Sequence, residues 1–157
     1  MKKKNSIIIG SGVIGSYLAK YLITKKHNVI VTSRKIKKNY TNYSKLNIKK
    51  KIIFEKLNVL KKQEILNIIK KYNPDNIFYF SGQSSLTKSI KLKKTTNDSN
   101  YIGAKKFLEM LLKLKVKSKF YKANSGYIFE NKNGLINLES MFSNNKNPYI
   151  QSQIKAY

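Results

Sequence analysis

The chain has 157 residues, 41% of them hydrophobic, which suits one globular domain and excludes an extended disordered chain. It has no cysteine, so disulfide frameworks and thiolate metal sites are excluded, and no apolar run approaches the ~18 residues that a bilayer span needs. The net charge of +26 invites a nucleic-acid partner, yet Arg34 is the sole arginine among 33 basic residues, and the lysines are spread along the whole chain. Specific nucleic-acid readout favours the bidentate guanidinium, so only non-specific adhesion to polyanions at low salt is expected.

The residues Met1–Ile9 hold a short apolar stretch and no small-residue cleavage site follows, which does not read as a signal peptide. A cytoplasmic protein without a membrane partner is the expectation. Ile7 to Ile9 is a β-branched run ending at Gly10 and predicts a buried parallel strand. From Ile14 to Lys26, the residues Ile14, Leu18, Tyr21 and Leu22 predict the inward stripe of a helix. A second strand is expected over Asn28–Thr32, then a polar stretch with a short helix over Lys37–Lys51, and a third strand over Ile52–Phe54. Lys61–Tyr72 carries Ile65, Leu66, Ile68 and Ile69 at helical spacing and stops before Pro74, which disfavours helical geometry at Asn73. Ile77–Phe80 predicts a fourth strand. Asp98–Lys115 predicts one long helix with Ile102, Leu108, Leu111 and Leu112, and Lys119–Ala123 a fifth strand. Alternating strands and helices imply βαβ units, hence an α/β doubly wound parallel sheet of Rossmann type, about five strands in the order 3-2-1-4-5.

Gly10-Ser11-Gly12-Val13-Ile14-Gly15 is a G-x-G-x-x-G motif between the first strand and the first helix. Such a loop lets a pyrophosphate approach its backbone and meet the free N–H groups of the helix start. The second strand then runs into Ser33-Arg34-Lys35 with no carboxylate. An acidic residue there would suit the ribose of NAD, whereas a basic pair suits the 2′-phosphate of NADP, so NADP is the expected cofactor.

The later segments resemble one family. Tyr72-Asn73-Pro74-Asp75-Asn76-Ile77-Phe78-Tyr79-Phe80-Ser81-Gly82-Gln83-Ser84 is similar to the K-P-D-E-I-Y-N-L-G-A-Q-S segment of GDP-mannose 4,6-dehydratases. Thr96-Asn97-Asp98-Ser99-Asn100-Tyr101-Ile102-Gly103 with Phe107-Leu108-Glu109 resembles their T-A-D-V-N-x-x-G…L-L-E helix, and Phe120-Tyr121-Lys122-Ala123-Asn124-Ser125 their F-Y-Q-A-S-T. Asn147-Pro148-Tyr149 falls at S-P-Y of S-P-Y-x-x-x-K, and the register holds without a gap from about Leu57 to Tyr157. The Gln83-Ser84 and Phe120-Tyr121 pieces favour these dehydratases over the wider extended short-chain dehydrogenase/reductase class, which includes nucleotide-sugar epimerases.

The resemblance implies a nucleotide sugar such as GDP-mannose as substrate and a set of site residues. Gly10, Gly12, Val13, Ile14 and Gly15 would hold the pyrophosphate, and Arg34 with Lys35 the 2′-phosphate. Asn58 and Val59 match a D-L pair beside the adenine, with Asn58 in place of the aspartate. Phe80, Ser81, Gly82 and Ser84 would line the nicotinamide-ribose side. Asn100 matches a buried helix asparagine expected to bond to the sheet, and His27 is expected to be structural. Ser125 and Tyr149 would be the catalytic hydroxyls, and no metal is implied.

The same resemblance exposes departures. Gln153 stands where the family's lysine follows the tyrosine by one helical turn, and Lys155 lies roughly 200° around the helix from it. Tyr127 replaces the family's glutamate, and the glycine-rich loop is one residue shorter than the G-x-x-G-x-x-G usual in extended members. With the sequence stopping inside the tyrosine-bearing helix, a truncated Rossmann domain is expected over residues 1–157, lacking its last strands and the substrate domain. Two functional readings follow: an enzyme of the dehydratase/epimerase family with impaired catalysis, or a non-catalytic NADP-binding protein or gene remnant. The edge beyond Lys119–Ala123 would be unpaired with apolar surface exposed, so self-association, as in a homo-oligomer, or poor solubility is expected.

Overall fold

The computed structural model describes residues 2–130, 134–136 and 140–157. The chain divides into two compact units, Met1–Ser81 with Lys106–Ala123, and Gly82–Lys105 with Asn124–Tyr157.

The first unit holds a five-stranded sheet: β1 (Asn5–Ile9), β2 (Asn28–Ser33), β3 (Ile52–Lys56), β4 (Asn76–Tyr79) and β5 (Lys119–Lys122). Every pair is parallel and the order is β3-β2-β1-β4-β5, the doubly wound arrangement expected from the alternation of elements. Central β1 pairs Ile7 with Ile30 of β2 and with Ile77 of β4, and all three are fully buried. His27, just before β2, lies with its Nδ1 2.8 Å from Ser6 Oγ of β1.

Helix α1 (Val13–Thr24) corrects the expected inward stripe. Gly15, Ser16, Ala19 and Leu22 are buried, Leu18 is half-buried, and Ile14 and Tyr21 are exposed, Ile14 to 67%. The cause is proximity. A Cβ on Gly15 would stand 2.7 Å from the Gly10 carbonyl oxygen, so only small side chains fit between this turn and the strand end. The segment after β2 forms the short helix α2 (Thr41–Lys45) and a 3₁₀ turn at Lys49–Lys51. Helix α3 (Lys62–Tyr72) buries Ile65, Ile68 and Ile69, with Leu66 half-buried. It stops where expected, at Asn73, whose left-handed φ of 39° lets its N–H reach the Ile69 carbonyl at 2.8 Å.

The second unit contains α4 (Leu86–Lys91) and α5 (Lys93–Asn97), neither expected from the sequence pattern. The single long helix expected from Asp98 is instead a π-helical turn, Asp98–Ile102, followed by α6 (Gly103–Lys113), which from Lys106 onward belongs to the first unit. A π turn inserts one residue and rotates the helical phase by roughly 100°. Leu111 is buried as expected and Ala104, Phe107 and Met110 are buried with it, while Leu108 and Leu112 face out. A 3₁₀ turn (Gly126–Ile128) and α7 (Pro148–Ile154) complete this unit. Among the described residues no helix is long and apolar enough to cross a membrane.

Candidate functional site

The glycine motif forms the turn between β1 and α1. Gly10 has φ +112°, and a Cβ there would lie 3.0 Å from the Phe80 carbonyl, so both conformation and space demand glycine. Gly12 differs, because a Cβ built there meets nothing within 4 Å and its side is open to an approaching group. Gly12 is the N-cap of α1 and no side chain caps the helix. The first amides of α1, at Val13 to Gly15, precede the first intrahelical bond, Ser16 N–H to Gly12 O at 3.1 Å, and point out of the helix end. The turn thus presents donors and positive dipole to an anion.

Arg34 and Lys35 leave the end of β2 on the exposed surface, and among the described residues neither forms an ion pair with a carboxylate. Asn58 follows β3 as a turn residue. Its Oδ1 accepts the Leu60 N–H at 3.0 Å and its own N–H donates to Glu64 Oε2 at 2.7 Å, which holds the Glu64 carboxyl below the usual range. Val59 is buried. Phe80 is half-buried near Tyr121, and Ser81 hydrogen-bonds Tyr79, whose phenol burial pushes well above its ordinary pKa.

In the second unit, Asn100 is 2% exposed and corrects the expectation of a bond to the sheet. Its Nδ2 donates to the Gln83 carbonyl at 3.1 Å and to Ser152 Oγ at 3.0 Å, while its Oδ1 closes the space over Gly82, where a Cβ would collide with it. Gln83 in turn brackets Ser85 through both ends of its amide, and Ser84 stays exposed. Ser125 Oγ accepts the Tyr127 N–H at 3.3 Å and lines an open cleft of about 650 Å³ with Gly126, Tyr127, Glu130 and Asn144. Tyr149 is half-buried in the first turn of α7, where Asn147 Oδ1 caps its N–H at 2.9 Å. It does not line that cleft, although its neighbour Ile150 does.

The sequence profile of a family described as GDP-mannose 4,6 dehydratase matches residues 7–157. The chain belongs to this family. It is 24% identical to the GDP-mannose 4,6-dehydratase of Vibrio cholerae serotype O1, over 100% of this chain and 44% of that protein. It is 27% identical to the dTDP-glucose 4,6-dehydratase of Haemophilus influenzae, over 64% of this chain and 30% of that one. The crystal structure of UDP-glucose 4-epimerase from Brucella ovis in complex with NAD shares the fold, with a TM-score of 0.80 at 18% identity, covering 98% of this chain and 45% of that one. The chain thus spans less than half the length of these relatives.

Within the GDP-mannose 4,6 dehydratase family's pattern, the departures have definite places. Gln153 is buried on α7 and its backbone carbonyl accepts from Asn124 Nδ2 at 3.4 Å. Lys155 is the exposed C-cap of the same helix, so it does not take the lysine's direction. Tyr127 is 62% exposed in the 3₁₀ turn. Among the described residues, the carboxylate lining this cleft is Glu130, whose Oε1 accepts from Asn144 Nδ2 at 3.1 Å. Sequence reading missed Glu130 because it stands three residues beyond the family's glutamate position, and only the turn at Gly126–Ile128 folds it back to the cleft.

Proposed function

We propose that this chain is the NADP-binding part of a nucleotide-sugar dehydratase of the GDP-mannose type, with its own catalysis impaired. The observation that carries the cofactor reading is the exposed basic corner Arg34–Lys35 at the end of β2, without a carboxylate partner among the described residues, beside a glycine turn with one open side. The residues fit a dinucleotide phosphate. Gly12 leaves room for the pyrophosphate, Val13, Ile14 and Gly15 offer amides, and Gly10 and Gly15 leave no space for a side chain that would deform the turn. Arg34 and Lys35 would hold the 2′-phosphate, and Asn58 with Val59 would border the adenine. Phe80, Ser81, Gly82 and Ser84 are proposed for the nicotinamide-ribose side. When bound, the nicotinamide supplies hydride acceptance and return. Of this chain's own groups, Tyr149 would take the hydroxyl proton of the sugar and Ser125 would offer a second catalytic hydroxyl.

A tyrosine serving as base must have its pKa brought down from ~10, and the family's lysine does this by its charge. Gln153 carries no charge, which favours a second reading of a non-catalytic NADP-binding protein. Titration of the purified chain with NADPH and NADH, followed by cofactor fluorescence, separates these readings from a fold without cofactor. NADPH should bind more tightly, and Arg34→Ala should weaken it on the order of 10- to 100-fold, as for a charge-assisted hydrogen bond. Equal affinities for the two cofactors in the wild-type chain would remove the assignment.

A further inference from the structure

The loop that carries Arg34 and Lys35 is tied to itself by a chain of hydrogen bonds. β2 ends at Ser33 and α2 begins after Tyr40, its N-cap, and residues 34 to 39 between them are all exposed. Ser33 Oγ donates to the Lys35 carbonyl at 2.7 Å. With the single serine hydrogen committed there, the contact of 3.1 Å between Ser33 Oγ and Tyr40 Oη must be donated by the phenol. Tyr40 Oη also accepts the Lys37 N–H at 3.4 Å. The order is therefore Lys37 N–H to Tyr40 O–H to Ser33 O–H to Lys35 C=O, and each hydroxyl both gives and receives.

The anchor of this chain is buried and stacked. Tyr40 is 5% exposed, and its ring stacks on Phe54 of β3 with centroids 3.8 Å apart and planes 15° apart. Tyr43 closes the cluster edge-on to both rings. The phenol oxygen is thus held by the core and transmits its position to the backbone of residues 35 and 37, on both sides of Ile36. A six-residue exposed loop would otherwise have to be ordered when an anion binds, at a cost in backbone and side-chain entropy. Pinning it beforehand removes part of that cost.

We infer that Tyr40 and Ser33 are positioning residues that hold Arg34 and Lys35 as a preformed phosphate clamp, and so set the preference for a cofactor with a 2′-phosphate. This inference rests on the NADP reading above. Neither residue touches the cofactor; each acts through the loop.

The test compares Kd for NADPH and for NADH on the whole chain and its variants. Tyr40→Phe keeps the ring and its stacking while deleting one hydroxyl. It should weaken NADPH about 3- to 10-fold, the worth of one to two hydrogen bonds, and leave NADH within about twofold. Ser33→Ala should act in the same direction, and the double variant should lose less than the product of the two single losses, because both interrupt one chain. Ser33→Thr, which keeps the hydroxyl, should retain the preference. A purely structural role would lower both affinities together, and that result, or an unchanged preference in Tyr40→Phe, overturns the inference while the NADP reading stands. If the wild-type chain itself shows no preference, the NADP reading falls and the clamp with it.

Discussion

Asn100 Nδ2 donates to Ser152 Oγ at 3.0 Å, a buried hydrogen bond across 52 residues of sequence. Ser152 Oγ passes its own hydrogen to the Tyr149 carbonyl at 2.7 Å, so the π turn at Asp98–Ile102 is linked to the first turn of the tyrosine-bearing helix. The π insertion is what aims Asn100 inward, and π turns are frequent where a side chain has a special task. Asn100→Ala should destabilise the chain by about 1–3 kcal/mol, since it removes the donor from the buried Ser152 Oγ and the part-buried Gln83 carbonyl. Gly82→Ala should also destabilise, by collision with Asn100 Oδ1, and this penalty should shrink in the Asn100→Ala background. Urea unfolding of the four proteins checks both, and strictly additive effects would show that the two residues are not coupled.

Lys122 at the end of β5 gives a pH dependence. Burial pushes its ammonium down to about 8 from the ordinary value of 10.5, and its Nζ donates to the Ala123 carbonyl at 3.1 Å. Between about pH 8 and 10.5 the unfolded chain holds this proton and the folded chain has released it. Stability from this group therefore rises with pH across that window, and below it the cost of burying the charge is present in full. Other lysines also lose charge at high pH, but they do so equally in a Lys122→Met variant. The stability difference between wild type and Lys122→Met should shift in favour of wild type from pH 7.5 to 10 in urea titrations. A difference that stays flat would show that Lys122 titrates normally.

The sheet edge should drive association. β5 pairs only with β4 among the described residues. Nearby in the same unit, Val13, Ile14, Tyr17, Leu18, Phe78, Phe80 and Tyr121 line an open apolar cleft of about 530 Å³. Exposed apolar area and an open edge favour self-association, whereas Lys119 and a net charge of +26 oppose it. Screening tips the balance, as the Debye length falls from ~30 Å at 0.01 M to ~8 Å at physiological salt. Light scattering should find monomer at low salt and oligomers at physiological salt and above, with Tyr121→Lys restoring the monomer. A monodisperse monomer at every salt concentration would refute this.

The 157-residue chain should not dehydrate GDP-mannose. A general acid–base contribution is typically about 10²–10⁴-fold, and Gln153 and Tyr127 stand where the family resemblance puts the lysine and the glutamate. The relatives are more than twice as long as the segment matched here, and positioning of a substrate can supply ~7–11 kcal/mol of barrier reduction. Gln153→Lys with Tyr127→Glu should therefore not restore turnover to the isolated chain. Mass spectrometry for the 4-keto-6-deoxy product, with NADP present, decides. Product formed in proportion to protein and abolished by Tyr149→Phe would make Tyr149 an active base without its lysine.

Local chemistry alone determined much of this protein. The runs Ile7–Ile9 and Val29–Val31 read as buried strands, Pro74 ends its helix, and glycine at positions 10 and 15 follows from the close approach of backbone there. The basic pair Arg34 and Lys35 was equally legible, since the charge is a property of the residue itself. Tertiary structure decided what depends on distance and phase. Whether α1 turns Ile14 or Gly15 inward is set by how closely the helix lies on β1, and whether α6 buries Leu108 or Phe107 by one inserted residue in the π turn. The hydrogen-bond chain from Lys37 through Tyr40 and Ser33 to Lys35 exists because Phe54 on β3 fixes a phenol ring, a contact between segments that no periodicity encodes. Patterns in sequence report which residues prefer burial; the packed chain decides which of them arrive there, because only one set can fit against the sheet at once.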